Sequence, residues 1–197
     1  MSDLRTELSQ DAVIDAALTL VETDGLDAVT GASIAGLLGV TQPALYRHVE
    51  NMDEIWRGLG LVGRSRLAEA LTEAAVGRSG ADAVIAVASA WRNFAISNPA
   101  LYAATDRYPC AGDPELEAAV EQVVAVLAMA LRGYGLDDDS SIDAARMLRS
   151  FLHGFVHLEL GDGHPHALDN DASFDRIVTL LSTVLPALVP SDIEESS

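Results

Sequence analysis

An all-α fold follows from three features of the chain. Apolar residues recur at helical spacing almost end to end, no stretch of useful length alternates as a strand does, and Gly or Pro punctuates the apolar runs. Ala12, Val13, Ala16, Ala17, Leu20 and Val21 mark one face of a first helix, which stops at Asp24-Gly25. Ile34, Ala35 and Leu38 form the apolar side of a short second helix, ended by Gly39. Thr41 is a candidate N-cap for a third, with Pro43 in its first turn, where a missing N–H is tolerated. Asn51 followed by Glu54 has the form of a capping pair for a long fourth helix reaching about Ala75. Gly77-Arg78-Ser79-Gly80 breaks the pattern but is too short to link independent domains flexibly. Further helices are expected over about 81–97, 100–106, 114–133 and 140–160, the last stopping at Gly161. After the polar loop GDGHPHALDND a final helix runs from Ser173 to about Leu188. The expectation is nine helices, three small and then six larger, with no internal repeat.

Composition narrows the class. The 197 residues are 49% hydrophobic, which is enough for a core and argues against a disordered acidic tail. The formal charge is −18, all twelve basic residues are arginine, and the single Cys110 excludes a disulfide framework within one chain. The segment MSDLRTELSQD is acidic and lacks an apolar stretch, so no signal peptide is expected. No uncharged apolar run reaches spanning length, so a cytoplasmic protein without membrane contact is expected. There is no Gly-rich phosphate loop, nucleophile elbow or Ser-His-Asp or Cys-His arrangement, and Cys110 sits in a Pro-Cys-Ala-Gly loop; catalysis is not expected.

The stretch TGASIAGLLGVTQPALYRHVENMDEIW carries the function. A short helix, a tight turn at Gly39 and a second short helix form the pattern of a DNA-reading helix-turn-helix. The major groove admits one helix, read from its first turn, so Thr41, Gln42, Pro43 and Ala44 are the candidate base contacts. Gln42 can hydrogen-bond adenine, and Pro43 and Ala44 can touch a thymine methyl. Tyr46, Arg47 and His48 lie a turn later, within reach of phosphates, and backbone amides near Met52 and Asp53 add an anion site that needs no charged side chain. Global charge does not help, because residues 1–60 hold ten acids against three arginines.

The segment GVTQPALYRHVENMDEI resembles the DNA-binding motif of the tetracycline-repressor-like (TetR) family, and the resemblance spans about residues 9–58. It implies a three-helix DNA-binding region, 1–56, before a six-helix effector-binding and dimerisation region, 57–190. Gln42, Pro43, Ala44, Tyr46 and His48 match DNA-contacting positions of the family, Thr30 and Ser33 lie near phosphates, and Leu37, Leu45 and Val49 match core positions. The chain departs from the family at Met52, where lysine is usual, and at Glu50 and Ala32.

WRNFAISNPALYAAT, RSFLHGFVHLELGDG and DASFDRIVTLL are similar to the effector domain named for its W-HG pattern, through Trp91, Asn98, Pro99, Tyr102, His153, Gly154, Glu159 and Phe174. Trp91, Phe94, Tyr102, Phe151 and Phe155 are candidates to line an apolar ligand pocket, the alternative for each being core packing. Arg149 and His153, with Arg146, form a stripe that would take an anionic group or pair with acids such as Asp106, Glu117 or Glu121. His153 and His157 have metal-ligand spacing, with Asp162, His164 and His166 nearby. There is neither a cysteine cluster nor a carboxylate triad, so no metal or other cofactor is expected, and His164 and His166 are expected in solvent.

The reading is a homodimeric one-component transcription regulator, a repressor, that binds palindromic double-stranded operator DNA and is released by a small-molecule effector. The dimer interface is expected on the last two long helices, through Leu148, Leu152, Phe155 and Val156 with Ile177, Leu180, Leu181, Val184 and Leu185. The alternative is a ligand- or partner-binding protein of the same fold with weakened or lost DNA binding.

Overall fold

The computed structural model describes residues 8–188; the outer ends of the two expected regions, 1–7 and 189–190, lie outside the described residues. Nine α-helices and no strand occur among the described residues: α1 (Gln10–Asp24), α2 (Gly31–Leu37), α3 (Gln42–Leu45), α4 (Met52–Ala75), α5 (Gly80–Ser97), α6 (Pro99–Ala104), α7 (Pro114–Leu131), α8 (Asp138–Leu160) and α9 (Asn170–Val184). Short 3-10 turns occupy Leu26–Ala28, Arg132–Tyr134 and Leu185–Leu188. The chain divides into two compact units. One comprises the residues to Ser65 with Asn98–Ala119, the other Arg66–Ser97 with the residues from Val120.

In the first unit, Ser9 caps α1 by accepting from the Ala12 amide at 3.2 Å. The helix ends where Gly25 takes φ +84°, a backbone conformation that L side chains resist. Val13 and Ala17 of α1 join Ile34, Leu45, Ile55, Leu59, Leu101 and Leu116 in a fully buried core. Helix α6 packs on α1 and on the Leu26–Ala28 turn. Gly63 of α4 lets α6 approach, since a Cβ there would lie 3.2 Å from the Leu101 carbonyl oxygen and 2.8 Å from Thr105 Cγ2. Leu37 is a correction: it is 52% exposed, whereas Ile34 and Ala35 are buried. At about 100° per residue, Leu38 falls on the arc between Ile34 and Ala35, and Leu37 falls outside it.

In the second unit α5 is central, packing against α8, α9 and the Arg132–Tyr134 turn. Gly133 sits directly on the Gly80 backbone, where a Cβ would be 2.5 Å from the Gly80 nitrogen. Asp137 caps α8 through the Ser140 amide at 2.8 Å, and these bonds lower its carboxyl below the ordinary value. Leu148, Leu152, Phe155, Val156 and Leu185 are buried within the protomer, which corrects their assignment to a free face. That side of α8 is consumed by packing within its own unit. Ile177, Leu180 and Val184 of α9 do remain exposed.

Candidate nucleic-acid interface and effector region

The turn before α3 closes with Gly39 at φ +66° and with the Val40 amide donating to the Ala35 carbonyl at 2.9 Å. Thr41 is the backbone N-cap of α3, its carbonyl accepting from Ala44 and Leu45 at 2.9 and 3.0 Å, while its side chain makes no cap bond. Leu45, fully buried, and Val49 anchor this segment from below. Thr41, Gln42 and Pro43 are thereby exposed on the first turn, with Ala44 half-buried between them and the core. Helix α3 proper ends at Leu45 rather than continuing through His48. The Arg47 and His48 amides reach back only three residues, to Ala44 and Leu45, which tightens the chain into turns. Tyr46, Arg47 and His48 still face solvent.

The structure brings Tyr46 to the start of α2. A Cβ on Gly31 would lie 2.5 Å from the Tyr46 hydroxyl oxygen, so the absence of a side chain at residue 31 is what lets the phenol lie there. Beside it, Thr30 and Ser33 form a reciprocal capping box: the Ser33 amide donates to Thr30 Oγ1 at 3.1 Å and the Thr30 amide to Ser33 Oγ at 3.0 Å. Thr30 is exposed and Ser33 half-buried. At the start of α4, Asn51 Oδ1 accepts from the Glu54 amide at 3.0 Å, and Glu54 accepts from the Glu50 amide and from Gln10 Nε2. The Gln10 contact crosses 44 positions and had no signal in the sequence.

The other arginines of this unit among the described residues are occupied structurally. Arg57 pairs with Asp113 and Glu115, and its guanidinium holds the Asp113 carboxyl below its ordinary value. Arg64, 8% exposed, donates to the carbonyls of Gly60 and Thr105 and to Cys110 Sγ, securing the C-terminal end of α6. The Arg107 guanidinium lies 5.3 Å from the Trp56 ring centroid, within cation–π range. Arg47 is therefore the one arginine between residues 8 and 56, and it is exposed.

In the second unit Phe151 and Phe155 meet, with ring centroids 5.7 Å apart. Phe174 completes the group at 5.9 Å from Phe151 and 5.2 Å from Phe155. Trp91 is buried, Phe94 and His153 are half-buried, and Arg149 is exposed; Tyr102, also buried, belongs to the first unit on α6. His164 is not in solvent: its ring lies 4.9 Å from Phe155 and its Nε2 is buried, because the loop after α8 folds back over the aromatic cluster. His166 is exposed, as expected. Arg146 does pair with an acid, but with Asp143 one helical turn away at 3.5 Å rather than with more distant carboxylates. His153 and His157 stack with centroids 6.3 Å apart, and no group of three metal-ligating side chains occurs among the described residues.

The feature that sequence reasoning missed is Arg92. Its Nε and Nη2 grip both Glu159 oxygens at 2.8 and 2.6 Å, Nη2 also reaches Asp171 at 2.6 Å, and the guanidinium lies 5.1 Å from the Phe174 centroid. One buried cation thus ties α5, α8 and α9 together. Glu159 and Phe174 were legible from the W-HG resemblance, but their common partner was not.

Comparison with known proteins agrees with this geometry. The pattern of the family described as bacterial regulatory proteins, tetR family, matches residues 13–58, and that of the tetracyclin repressor-like C-terminal domain matches residues 84–181. An uncharacterised helix-turn-helix-type transcriptional regulator of Mycobacterium tuberculosis is 34% identical over 177 residues, covering 89% of this chain and 81% of that protein. The chain belongs to the TetR family.

Solved TetR-like structures share the fold. A TetR variant from Acinetobacter baumannii in complex with minocycline aligns with TM-score 0.69 at 22% identity, over 94% of this chain and all of that one. BioQ, solved with its double-stranded DNA operator, aligns with TM-score 0.67 at 22% identity, over 92% and 99%. TetR-family regulators are generally non-enzymatic DNA-binding proteins. Among the described residues, no helix of this family member is long and apolar enough to cross a membrane.

Proposed function

We propose that this TetR-family regulator is a homodimeric, cytoplasmic one-component repressor that reads a palindromic operator and releases it on binding a small molecule. The observation that carries this reading is the exposed row Thr41, Gln42 and Pro43 on the first turn of α3, held up by fully buried Leu45. Tyr46, Arg47, His48, Thr30 and Ser33 flank that row and serve phosphates, with Ala44 against the groove wall. Residues 1–56 act as the DNA-binding region and 57–190 as the effector and dimerisation region, of the W-HG type through Trp91, His153 and Gly154.

Dimerisation through α8 and α9 is supported by exposed Leu158, Ile177, Leu180 and Val184. It is supported too by Gly154, a mid-helix glycine whose would-be Cβ meets nothing within 4 Å beyond its chain neighbours and its own helix backbone. A helix interior glycine costs about 0.5–1 kcal/mol relative to alanine, and close approach by a partner helix would offset that cost. The effector lies against Trp91, Phe94, Phe151, His153 and Phe155 and acts by binding two spacings of the reading helices with different affinity.

The test is a gel shift with the protein's own upstream DNA at low and moderate salt, comparing wild type with Gln42→Ala and Tyr46→Ala, alongside sedimentation. A dimer and a specific shift lost in both variants are expected. A monomer at micromolar concentration ends the dimer reading. The second reading, a ligand-binding protein with weakened DNA binding, is favoured by Arg47 being the one arginine between residues 8 and 56, and no specific shift from a selected oligonucleotide pool at low salt would establish it.

A further inference from the structure

Away from the aromatic cluster, the ends of α4 and α7 line a half-open pocket of about 250 Å³. Its lining combines Thr72, Ala75 and Val76 with Met129, and includes both Arg78 and Arg132. Three observations converge there. Val76 and Met129 are large apolar side chains left 71% and 44% exposed. No lining residue is acidic, in a chain where Asp and Glu outnumber Arg by 30 to 12. Neither Arg78 nor Arg132 forms an ion pair among the described residues; Arg78 donates to the Ala74 carbonyl at 2.7 Å.

We propose that this pocket binds a small amphipathic carboxylate, its apolar body against Ala75, Val76 and Met129 and its anionic group between Arg78 and Arg132. The chemistry follows from what each part of the site lacks. The apolar walls gain by leaving water. Guanidinium groups take carboxylates through charge-assisted, often bidentate hydrogen bonds. The volume falls below the range of about 300–1,000 Å³ that encloses a drug-sized ligand, so the body is a short aliphatic chain or a single ring. In an acidic protein, two cations lining one pocket without an ion-pair partner also provide the local positive potential that attracts an anion otherwise repelled.

This site is separate from the effector region proposed above, and its test needs no DNA. Isothermal titration calorimetry of the full chain would compare octanoate with 1-octanol, which lacks the charge, and with acetate, which lacks the apolar body. Octanoate is expected to bind at least about tenfold more tightly than either, and Arg78→Gln/Arg132→Gln to weaken octanoate by about tenfold or more. Both arginines are exposed, so the variant should fold, and its circular dichroism checks this. Methyl NMR of methionine locates the ligand, with octanoate shifting Met129 and leaving Met52 and Met147 in place. Equal affinity for octanoate and octanol, or for octanoate and acetate, overturns the proposal. So does octanoate binding that the double variant leaves unchanged, or that shifts Met52 or Met147 and not Met129.

Discussion

The Arg92 cluster makes a quantitative prediction, because one guanidinium serves two carboxylates in unlike surroundings. The Arg92 and Glu159 side chains are 11% and 13% exposed, while the Asp171 side chain is 78% exposed. Replacing Glu159 with Gln keeps the shape but exchanges two charge-assisted hydrogen bonds for at most one neutral acceptor. It also leaves the buried cation under-compensated. Disrupting a buried pair in this way costs about 3–5 kcal/mol, toward the lower end here because a little solvent reaches both groups. Asp171→Asn removes an arm that water already screens, so its cost is about 0.5 kcal/mol. The apolar replacement Arg92→Met/Glu159→Leu should recover most of the Glu159→Gln loss, since a packed apolar pair removes both desolvation penalties together. For a chain of this length, a loss of about 3 kcal/mol lowers Tm by about 6–12 °C. The assay is urea and thermal unfolding by circular dichroism at one fixed protein concentration, because dimerisation would otherwise shift the midpoint. Losses of equal size for Glu159→Gln and Asp171→Asn would refute the claim that burial, and not contact distance, sets the strength of these bonds.

Other predictions address the DNA-binding unit. Met52→Lys, on the first turn of α4, should strengthen both specific and nonspecific binding and steepen the log affinity against log salt slope by about 0.9, as one new phosphate contact does; fluorescence anisotropy across a salt series reads it. Unchanged nonspecific affinity would mean that residue 52 does not face phosphate. Gly31→Ala should cost operator affinity while leaving the melting temperature nearly unchanged, because the new Cβ meets only the far end of the Tyr46 side chain. Arg57 lowers the Asp113 carboxyl from its ordinary 3.8, so the bridge's contribution is complete above that value and is lost as pH falls through the lowered one. A carboxyl NMR titration should place the Asp113 midpoint below 3.8, and Arg57→Gln should return it toward 3.8.

The sequence by itself determined the elements, because helix periodicity and end signals are local. Gly25, Gly39, and Asn51 with Glu54 act on residues within a turn of themselves, and each ends or starts a helix where its chemistry predicts. The exposed Thr41-Gln42-Pro43 row was legible for the same reason, since Leu45 and Val49 had to turn inward. Leu37 was misassigned by carrying over the family's core positions, whereas helical spacing alone, through Ile34, Ala35 and Leu38, had the phase of that face right.

Tertiary structure alone decided which distant residues meet. Gly31 admits Tyr46 to the start of α2, α6 packs beside α1, and Arg92 gathers Glu159, Asp171 and Phe174 from two other helices. It also decided that Phe155 and Leu152 serve the protomer's own core while Leu180 stays bare. Periodicity names an apolar face but not what covers it, and an arginine's sequence neighbours carry no trace of a carboxylate sixty-seven positions away. Those pairings depend on how helices cross, which the chain settles only by folding.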